Sequence, residues 1–558
     1  MKKKSKPILA LLLALAMMLA LAACGGQPAG DQPGNSGSSA PVDPSDTPSA
    51  QAGQELTGGN NSGPVTEKPA GIQPGTTFKY CITMDFPSHL PWIDNNAGPL
   101  VYQIYSTLVY KYHADPNDIR GDLAEKWTSS DDGLTWVFKL REDAKFTSGN
   151  PVTANSVVKS WDAAKDFVPR WFSVVESYEA TGEYEVTVKL NAPSPTFIYD
   201  LPMNPNCAIV DEKALEQYGA EDNRSAIGSG PYYIEKYTSG EGFVLKANPD
   251  YYNPDKAPSI ETCEMVVIPE ENTAMLAMMG GQLDLLITSN MEIVKSLETS
   301  GACQVIAVPG QNHPWWYNPK EVEIFKDPVV REALCHIIDW DAINTLVYDG
   351  RLLPLNSYFP DAGSYPLDKA SYACDPEKGI KMLEDAGYKK DDIAFSILCN
   401  PSFKDLCVAV EGQFKEHGFN NIIAEVADMT TCLGEIRGGT YDMTTTHNGY
   451  AAESPLSPYT MGLLPDGAQR IIWMDQMTGA EAAYQEALDH YNKAASAPDF
   501  ETYEKEVSEI TRLAQENFCA IGGLRKVEFF ALGNQFAGLY KAPISGYMEF
   551  CYLYSTEG

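Results

Sequence analysis

Only a few residues of this 558-residue chain are spaced as reactive chemistry would need. Ser156-Val157-Val158-Lys159 reads Ser-x-x-Lys, which puts a lysine one helical turn from a serine whose proton it could take. A Lys-Thr-Gly partner motif is missing from the sequence, and so are G-x-S-x-G, H-E-x-x-H and the phosphate-binding P-loop. The seven histidines (His89, His113, His313, His336, His417, His447 and His490) show no metal-ligand spacing. The 12 cysteines include no C-x-x-C pair. Acidic pairs such as Asp131-Asp132 suit turns and solvated faces. No catalytic constellation assembles, so a secreted hydrolase is the weaker reading and neither a metal nor a cofactor is expected. What remains is aromatic. His313-Pro314-Trp315-Trp316-Tyr317-Asn318 suits a cleft that stacks or wraps a small organic solute, and the same rings would serve equally well as core.

The N-terminus sets the compartment. Met1–Lys6 carries four lysines, Pro7–Leu21 is apolar, and Leu21-Ala22-Ala23-Cys24 follows. A basic region, an apolar region and small residues before a cut site define a secretory leader. The cysteine after the small residues has the form of a bacterial lipobox, which makes Cys24 the expected lipid attachment site. The apolar run is short for a span of about 20 residues, and no later run is long enough to cross a membrane. Gly25–Gly75 is rich in Gly, Ser, Pro, Asn and Gln and cannot bury enough surface to fold. About 50 such residues reach on the order of 35–45 Å. The net charge is −34. Removing the leader takes it to about −38, which argues against nucleic acid as a partner. With Cys24 assigned to lipid an odd number of cysteines remains, so at least one thiol is expected to stay unpaired within the chain.

The folded body should then span roughly Thr76–Gly558, enough for two or three packing units. The stretch Ala226–Asn253 reads as a β-hairpin, with Tyr232–Tyr237 and Gly242–Ala247 alternating on either side of Thr238-Ser239-Gly240-Glu241. Gly228-Ser229-Gly230-Pro231 makes a tight entry, and Asn248-Pro249-Asp250 starts the next turn. Phe78–Met84 reads as a strand, Gly98–Tyr110 as a helix, Thr135–Leu140 as a strand, and Thr153 as the cap of a helix through Trp161.

These stretches carry a resemblance. G-S-G-P-Y, the hairpin and N-P-D-Y-Y resemble a segment of the large extracytoplasmic solute-binding proteins of ABC importers, the peptide/nickel-binding type (family 5). Leu123-Ala124-Glu125-Lys126-Trp127, Asp132–Arg141 and Lys145–Val158 are similar to the family's signature region, and Ser156 falls inside it. Met275–Asp284, Asp327–Leu334 with Ile338-Asp339, and Asp375–Tyr388 follow in family order. In the last of these, Gly379 stands where the family has alanine.

The resemblance implies an α/β fold of two lobes, like the type II periplasmic binding proteins of the large cluster with an inserted subdomain. The expected parts are a signal peptide 1–23, a tether 24–75, a first lobe from 76–115, 226–311 and 525–558, an inserted subdomain 116–225, and a second lobe 312–524. The lobes would be crossed near Asn312–Asn318 and Ile521–Phe529. A solute would lie between lobes that close on a hinge. It also implies a pocket loop after the strand Tyr441–Thr446, here His447–Pro455. Oligopeptide-binding relatives carry an aspartate in that loop. This chain has Ala451-Ala452, with Glu453 the only nearby acid. The ligand-binding residues expected are Arg170, Trp315, Trp316, Tyr317, Asn448, Tyr450 and Glu453. The implied function is solute capture without turnover by a membrane-tethered monomer that delivers to an ABC permease and its ATPase. The solute is an oligopeptide by default, with nickel chelates, sugars, opines or a peptide signal as alternatives.

Overall fold

The computed structural model describes residues 68–93, 98–112, 115–194, 196–202, 205–359, 365–445, 456–465, 467, 469–497, 499–539 and 548–557. Cys24 and the leader lie outside them. An 11-stranded sheet forms the backbone of the body. From one edge its strands are Ile422–Val426, Phe395–Cys399, Met443–Thr445, Cys303–Tyr317, Ala520–Gly533, Leu285–Thr288, Gln73–Ile82, Ile260–Val267, Gly242–Ala247 and Tyr232–Thr238, with Leu353–Pro354 added on Ala520–Gly533. Parallel pairs lie toward each end: Gln73–Ile82 on Ile260–Val267, and Phe395–Cys399 on its two neighbours. The two longest strands, Cys303–Tyr317 and Ala520–Gly533, join the halves as an antiparallel pair.

Helices cover the sheet and divide the interior. One core gathers residues from Val294 to Phe529 around the strands Phe395–Cys399 and Met443–Thr445. A second lies on the other half of the sheet, around Phe78, Leu245, Met265 and Phe530. A smaller one on the opposite face holds Leu286, Leu297 and Ala531. The fourth belongs to a separate four-stranded antiparallel sheet, ordered Ala124–Ser129, Thr135–Leu140, Glu185–Leu190 and Val175–Gly182. The helix Ala154–Ala164 packs there, burying Trp161 with Phe138, Val186 and Val188. The architecture is mixed α/β in two lobes. Contacts reach back to Lys68, whose ammonium donates to the Cys551 carbonyl at 2.5 Å.

The hairpin forms as its alternation predicts, over Tyr232–Thr238 and Gly242–Ala247. Its flanking motifs seat the four-stranded subdomain. The Gly230 N–H donates to the Ile104 carbonyl at 3.0 Å, the Thr147 N–H to the Gly228 carbonyl at 3.0 Å, and Ser106 Oγ to the Ser229 carbonyl at 3.2 Å. A Cβ on Gly228 would stand 1.9 Å from the Ile104 oxygen, and one on Gly230 2.5 Å from the Ile104 carbonyl carbon. Only glycine lets the two backbones approach so closely. Downstream, buried Asp122 accepts from Tyr252 Oη at 3.0 Å and Asn253 Nδ2 at 3.2 Å. Lys256 and Glu549 pair at 2.9 Å with about a tenth of each side chain exposed.

The helix expected over Gly98–Tyr110 stops at Ile104. Non-local partners take its continuation: Gly230 claims the Ile104 carbonyl, and the N–H groups of Asp122 and Ala124 claim that of Leu108. Val109–Tyr112 pairs instead with Asp115–Gly121. Gly379 also has a packing reason. The helix Pro376–Asp385 crosses Pro328–Ile337 so closely that a Cβ at 379 would lie 2.5 Å from the Ala333 oxygen.

Candidate functional site

The two long strands that join the halves of the sheet are irregular in two places. Between Pro309 and Asn312 the strand Cys303–Tyr317 has one residue more than its partner, opposite Val527 and Arg525. Between Pro314 and Trp316 the surplus is on the partner, at Gly523–Ala520. Each surplus is a β-bulge, which bends a strand and loosens the local ladder. Arg525 Nε braces the first by donating to the Gly310 carbonyl at 2.9 Å. The second uses Gly523, whose Cβ would fall 2.1 Å from the His313 oxygen. Off the strands, Arg351 forms a two-pronged pair with Glu298 at 2.6 and 2.7 Å, and Lys295 pairs with Asp349 at 2.5 Å.

Just past the bulges lies the aromatic run. Trp315, Trp316 and Tyr317 are all 0% exposed and belong to the core around the strands Phe395–Cys399 and Met443–Thr445. Trp315 packs on Trp340 at 6.1 Å between ring centroids, and Trp316 on Tyr358 at 5.2 Å. Tyr317 Oη donates to the Arg331 carbonyl at 3.1 Å, and burial pushes its phenol well above the usual range. The run is thus a packed base beneath the strand ends. Its register matters all the same. Trp315 lies opposite Thr445, whose hydroxyl donates to the Pro314 carbonyl at 3.2 Å, and Thr445 is the last described residue before 446–455, which include the expected loop His447–Pro455. The sheet therefore brings the aromatic run to the root of the loop that the resemblance marked. Asn448, Tyr450 and Glu453 lie in that loop, outside the described residues. Arg170 sits in the short helix Pro169–Phe172, and its side chain is likewise outside the description.

Two features here are invisible to sequence reading. The indole N–H groups of Trp315 and Trp316 and the side-chain oxygen of Asn312 are buried without a hydrogen-bond partner among the described residues, while Asn312 Nδ2 donates to the Ser357 carbonyl at 2.6 Å. On the far side of the loop, the Leu456 N–H donates to Tyr503 Oη at 2.7 Å. Aromatic content is the only sequence signal for either. The Ser-x-x-Lys motif dissolves: Ser156 is fully buried and donates to Glu212 at 2.8 Å, while Lys159 lies 3.7 Å from Glu216. Among the described residues no His, Cys, Asp or Glu cluster could hold a metal. Of the eleven described cysteines, all free thiols, only Cys374 is exposed.

Residues 118–469 match the family model of bacterial extracellular solute-binding proteins, family 5 Middle. The chain belongs to this family. It is 24% identical over 368 residues to the probable D,D-dipeptide-binding periplasmic protein DdpA of Escherichia coli K12, covering 63% of this chain and 70% of DdpA. It is 26% identical over 411 residues to a putative ABC transporter peptide-binding protein of Brucella ovis, covering 70% and 74%. The match to the glutathione-binding protein GsiB of Escherichia coli spans about half of each chain, 48% and 53%, at 27% identity. Among solved structures, NikA from Brucella suis in complex with Fe(III)-EDTA superposes with a TM-score of 0.74 at 19% identity, over 86% of this chain and all of NikA. AppA from Bacillus subtilis in complex with a nonapeptide gives 0.66 at 20% identity, over 88% and 100%. These likenesses establish the two-lobe binding-protein fold. The chain is an extracytoplasmic substrate-binding protein of an ABC importer and not an enzyme. No described helix is long and apolar enough to cross a membrane.

Proposed function

We propose that the chain captures a short peptide between its lobes, held by lipid at Cys24 on the outer face of a cytoplasmic membrane, and hands it to a permease. The observation that carries the peptide reading is that the relatives over the longest matched lengths are named for dipeptides or peptides. The solute contacts are assigned to Asn448, Tyr450 and Glu453 in the loop rooted at Thr445, with Arg170 reaching from the inserted subdomain. Trp315, Trp316 and Tyr317 are fully buried and pair with the strand Met443–Thr445 that precedes that stretch. Glu453 is the acid available for a peptide's α-ammonium, since the loop has Ala451-Ala452 and no aspartate. Closure about the bulged strands follows from a solute that contacts both lobes, because a ligand favouring the closed form shifts the population toward it.

Mass spectrometry of whatever co-purifies with the protein, followed by thermal-shift titration with dipeptides and tripeptides, tests the reading. A peptide at a hundredfold excess over its Kd should stabilise the fold by about 2.7 kcal/mol. Glu453→Gln should reduce that shift at every peptide concentration, as a weaker Kd requires. A shift with metal chelates or opines and none with peptides would replace the peptide reading by a non-peptide solute. For the anchor, Cys24→Ala should accumulate as precursor or be shed from the membrane, and normal processing and retention of that variant would remove the lipid from the proposal.

A further inference from the structure

We infer that the sheet edge Ile422–Val426 is a docking strand. Its partner is an extended protein segment, apolar at alternate positions and carrying lysine or arginine, that joins the sheet by β-augmentation. An edge strand leaves half of its N–H and C=O groups unpaired, and proteins blunt such edges with charges and bulges. The two larger sheets treat their other edges in that way. The register of Tyr232–Thr238 breaks between Ile234 and Lys236, and Glu235 and Lys236 are exposed. That of Ala124–Ser129 breaks between Ala124 and Lys126, and Glu125 and Lys126 are exposed. Val175–Gly182 breaks between Val175 and Ser177 and again between Ala180 and Gly182, and exposes Glu176 and Glu179. Ile422–Val426 differs. Its register on Phe395–Cys399 runs unbroken, and of its 5 residues only Glu425 is charged.

The backbone on the open side can be read from the closed one. The Phe395 N–H donates to the Asn421 carbonyl at 3.3 Å, and the Ala427 N–H to the Cys399 carbonyl at 3.0 Å. Residues 421 and 427 thus turn inward, and alternation turns the N–H and C=O of Ile422, Ala424 and Val426 to the open side. The side chains beside that row are apolar. Ile423 is 52% exposed and Val426 41%, on opposite faces of the strand, and Met429 opens the next helix at 44%. An incoming strand would cover Ile423 on one face and Val426 on the other. Charge selects the occupant. Glu425 shares the face of Ile423 and has no ion pair among the described residues. Burial, then the charges of Glu425 and Asp442, raises the Glu435 carboxyl above its ordinary value, so Glu425 and Glu435 stand close together. Two copies paired through this edge would set these acids against their own counterparts. A lysine or arginine on an incoming strand would meet them with the opposite sign.

The test uses the full chain and a synthetic peptide that alternates valine and lysine. Hydrogen exchange should slow over Ile422–Val426 when the peptide is added and stay unchanged over Tyr232–Thr238. The same peptide N-methylated at every residue keeps its charge and loses its donors, and it should slow nothing at this edge. A peptide alternating valine and glutamate should bind more weakly than the lysine one. Glu425→Lys, a change at an exposed position, should weaken the lysine peptide about 2- to 5-fold, the weight of one cross-strand charge pair. Equal slowing by the methylated peptide, equal affinity in Glu425→Lys, or equal slowing at the other edges would overturn the docking strand and show charge attraction alone. Slowing elsewhere with none over Ile422–Val426 would overturn it too, while leaving solute capture between the lobes untouched. Dimerisation that slows the same amides without any peptide would overturn the basic partner in favour of a second copy.

Discussion

The Gly228–Pro231 turn allows a prediction whose size follows from the coordinates. Gly230→Ala places a methyl 2.5 Å from the Ile104 carbonyl carbon, 2.7 Å from the Tyr105 nitrogen and 2.8 Å from the Gln103 oxygen. All three are backbone atoms, so no side chain can swing aside. Neither Gly228 nor Gly230 has a positive φ, so the cost is contact and not conformation. Overpacking of this kind costs about 1–3 kcal/mol. Moving the end of the helix Gly98–Ile104 away also weakens the Gly230-to-Ile104 hydrogen bond, worth about 1 kcal/mol. The alanine restricts the unfolded chain and returns about 0.4–1 kcal/mol. The net loss is about 1–3.5 kcal/mol, or about 2–14 °C in Tm for a cooperative unit of about 200 residues. Gly228→Ala, at 1.9 Å, should lose more. Gly412→Ala, in the helix Lys404–Glu416 with nothing within 4 Å, should gain about 0.5–1 kcal/mol. Calorimetry gives the shifts, and hydrogen exchange should place the weakening at residues 104–110 and 145–149, the two segments that the turn holds. A Gly230→Ala protein melting within about 1 °C of the parent would refute the close-approach argument.

Three further outcomes are expected. Gly379→Ala, which restores the residue usual in the family's motif, should destabilise by about 1–3 kcal/mol because the new methyl meets the Ala333 oxygen; a neutral result in urea titration would show that the two helices can part freely. Lys256→Met or Glu549→Gln alone should each cost about 3–5 kcal/mol by leaving one buried charge unpaired, whereas Lys256→Met/Glu549→Leu should come close to the parent; equal costs for single and double variants would show that the pair itself is the stabiliser. Burial raises the Asp284 carboxyl above its ordinary value, against the hydrogen bonds from the Lys79 N–H and Gln535. A raised folded value means that proton binding favours the fold below the unfolded value and that the benefit is lost as pH rises through the folded one. Asp284→Asn should therefore equal or exceed the parent at about pH 7, the gap closing toward about pH 4 in a Tm-against-pH series; a gap that widens in acid would reverse the assignment.

What was legible in the sequence was what backbone decides locally. The hairpin needed only alternation and a glycine-bearing turn, and it formed with its strands as read. The turn before it was legible as a demand for glycine, although its partner at Ile104, more than a hundred residues away, was not. The helix after Gly98 was read too long for the same reason: its periodicity was genuine, but distant N–H groups took the carbonyls that would have extended it. The aromatic run was legible in kind and in neighbourhood, beside the bulges and the loop root, but not in facing. A strand in the middle of a sheet buries both its faces when layers lie above and below, and the rings packed on this one include Trp340 against Trp315 and Tyr358 against Trp316. Gly379 joins the two levels. As a letter it is a departure from the family's motif, and as an atom it is the one residue that the crossing of two helices admits. A motif position is thus a statement about the distance between backbones. Here the helices Pro376–Asp385 and Pro328–Ile337 approach until a Cβ at 379 would meet the Ala333 oxygen, and the glycine records that distance.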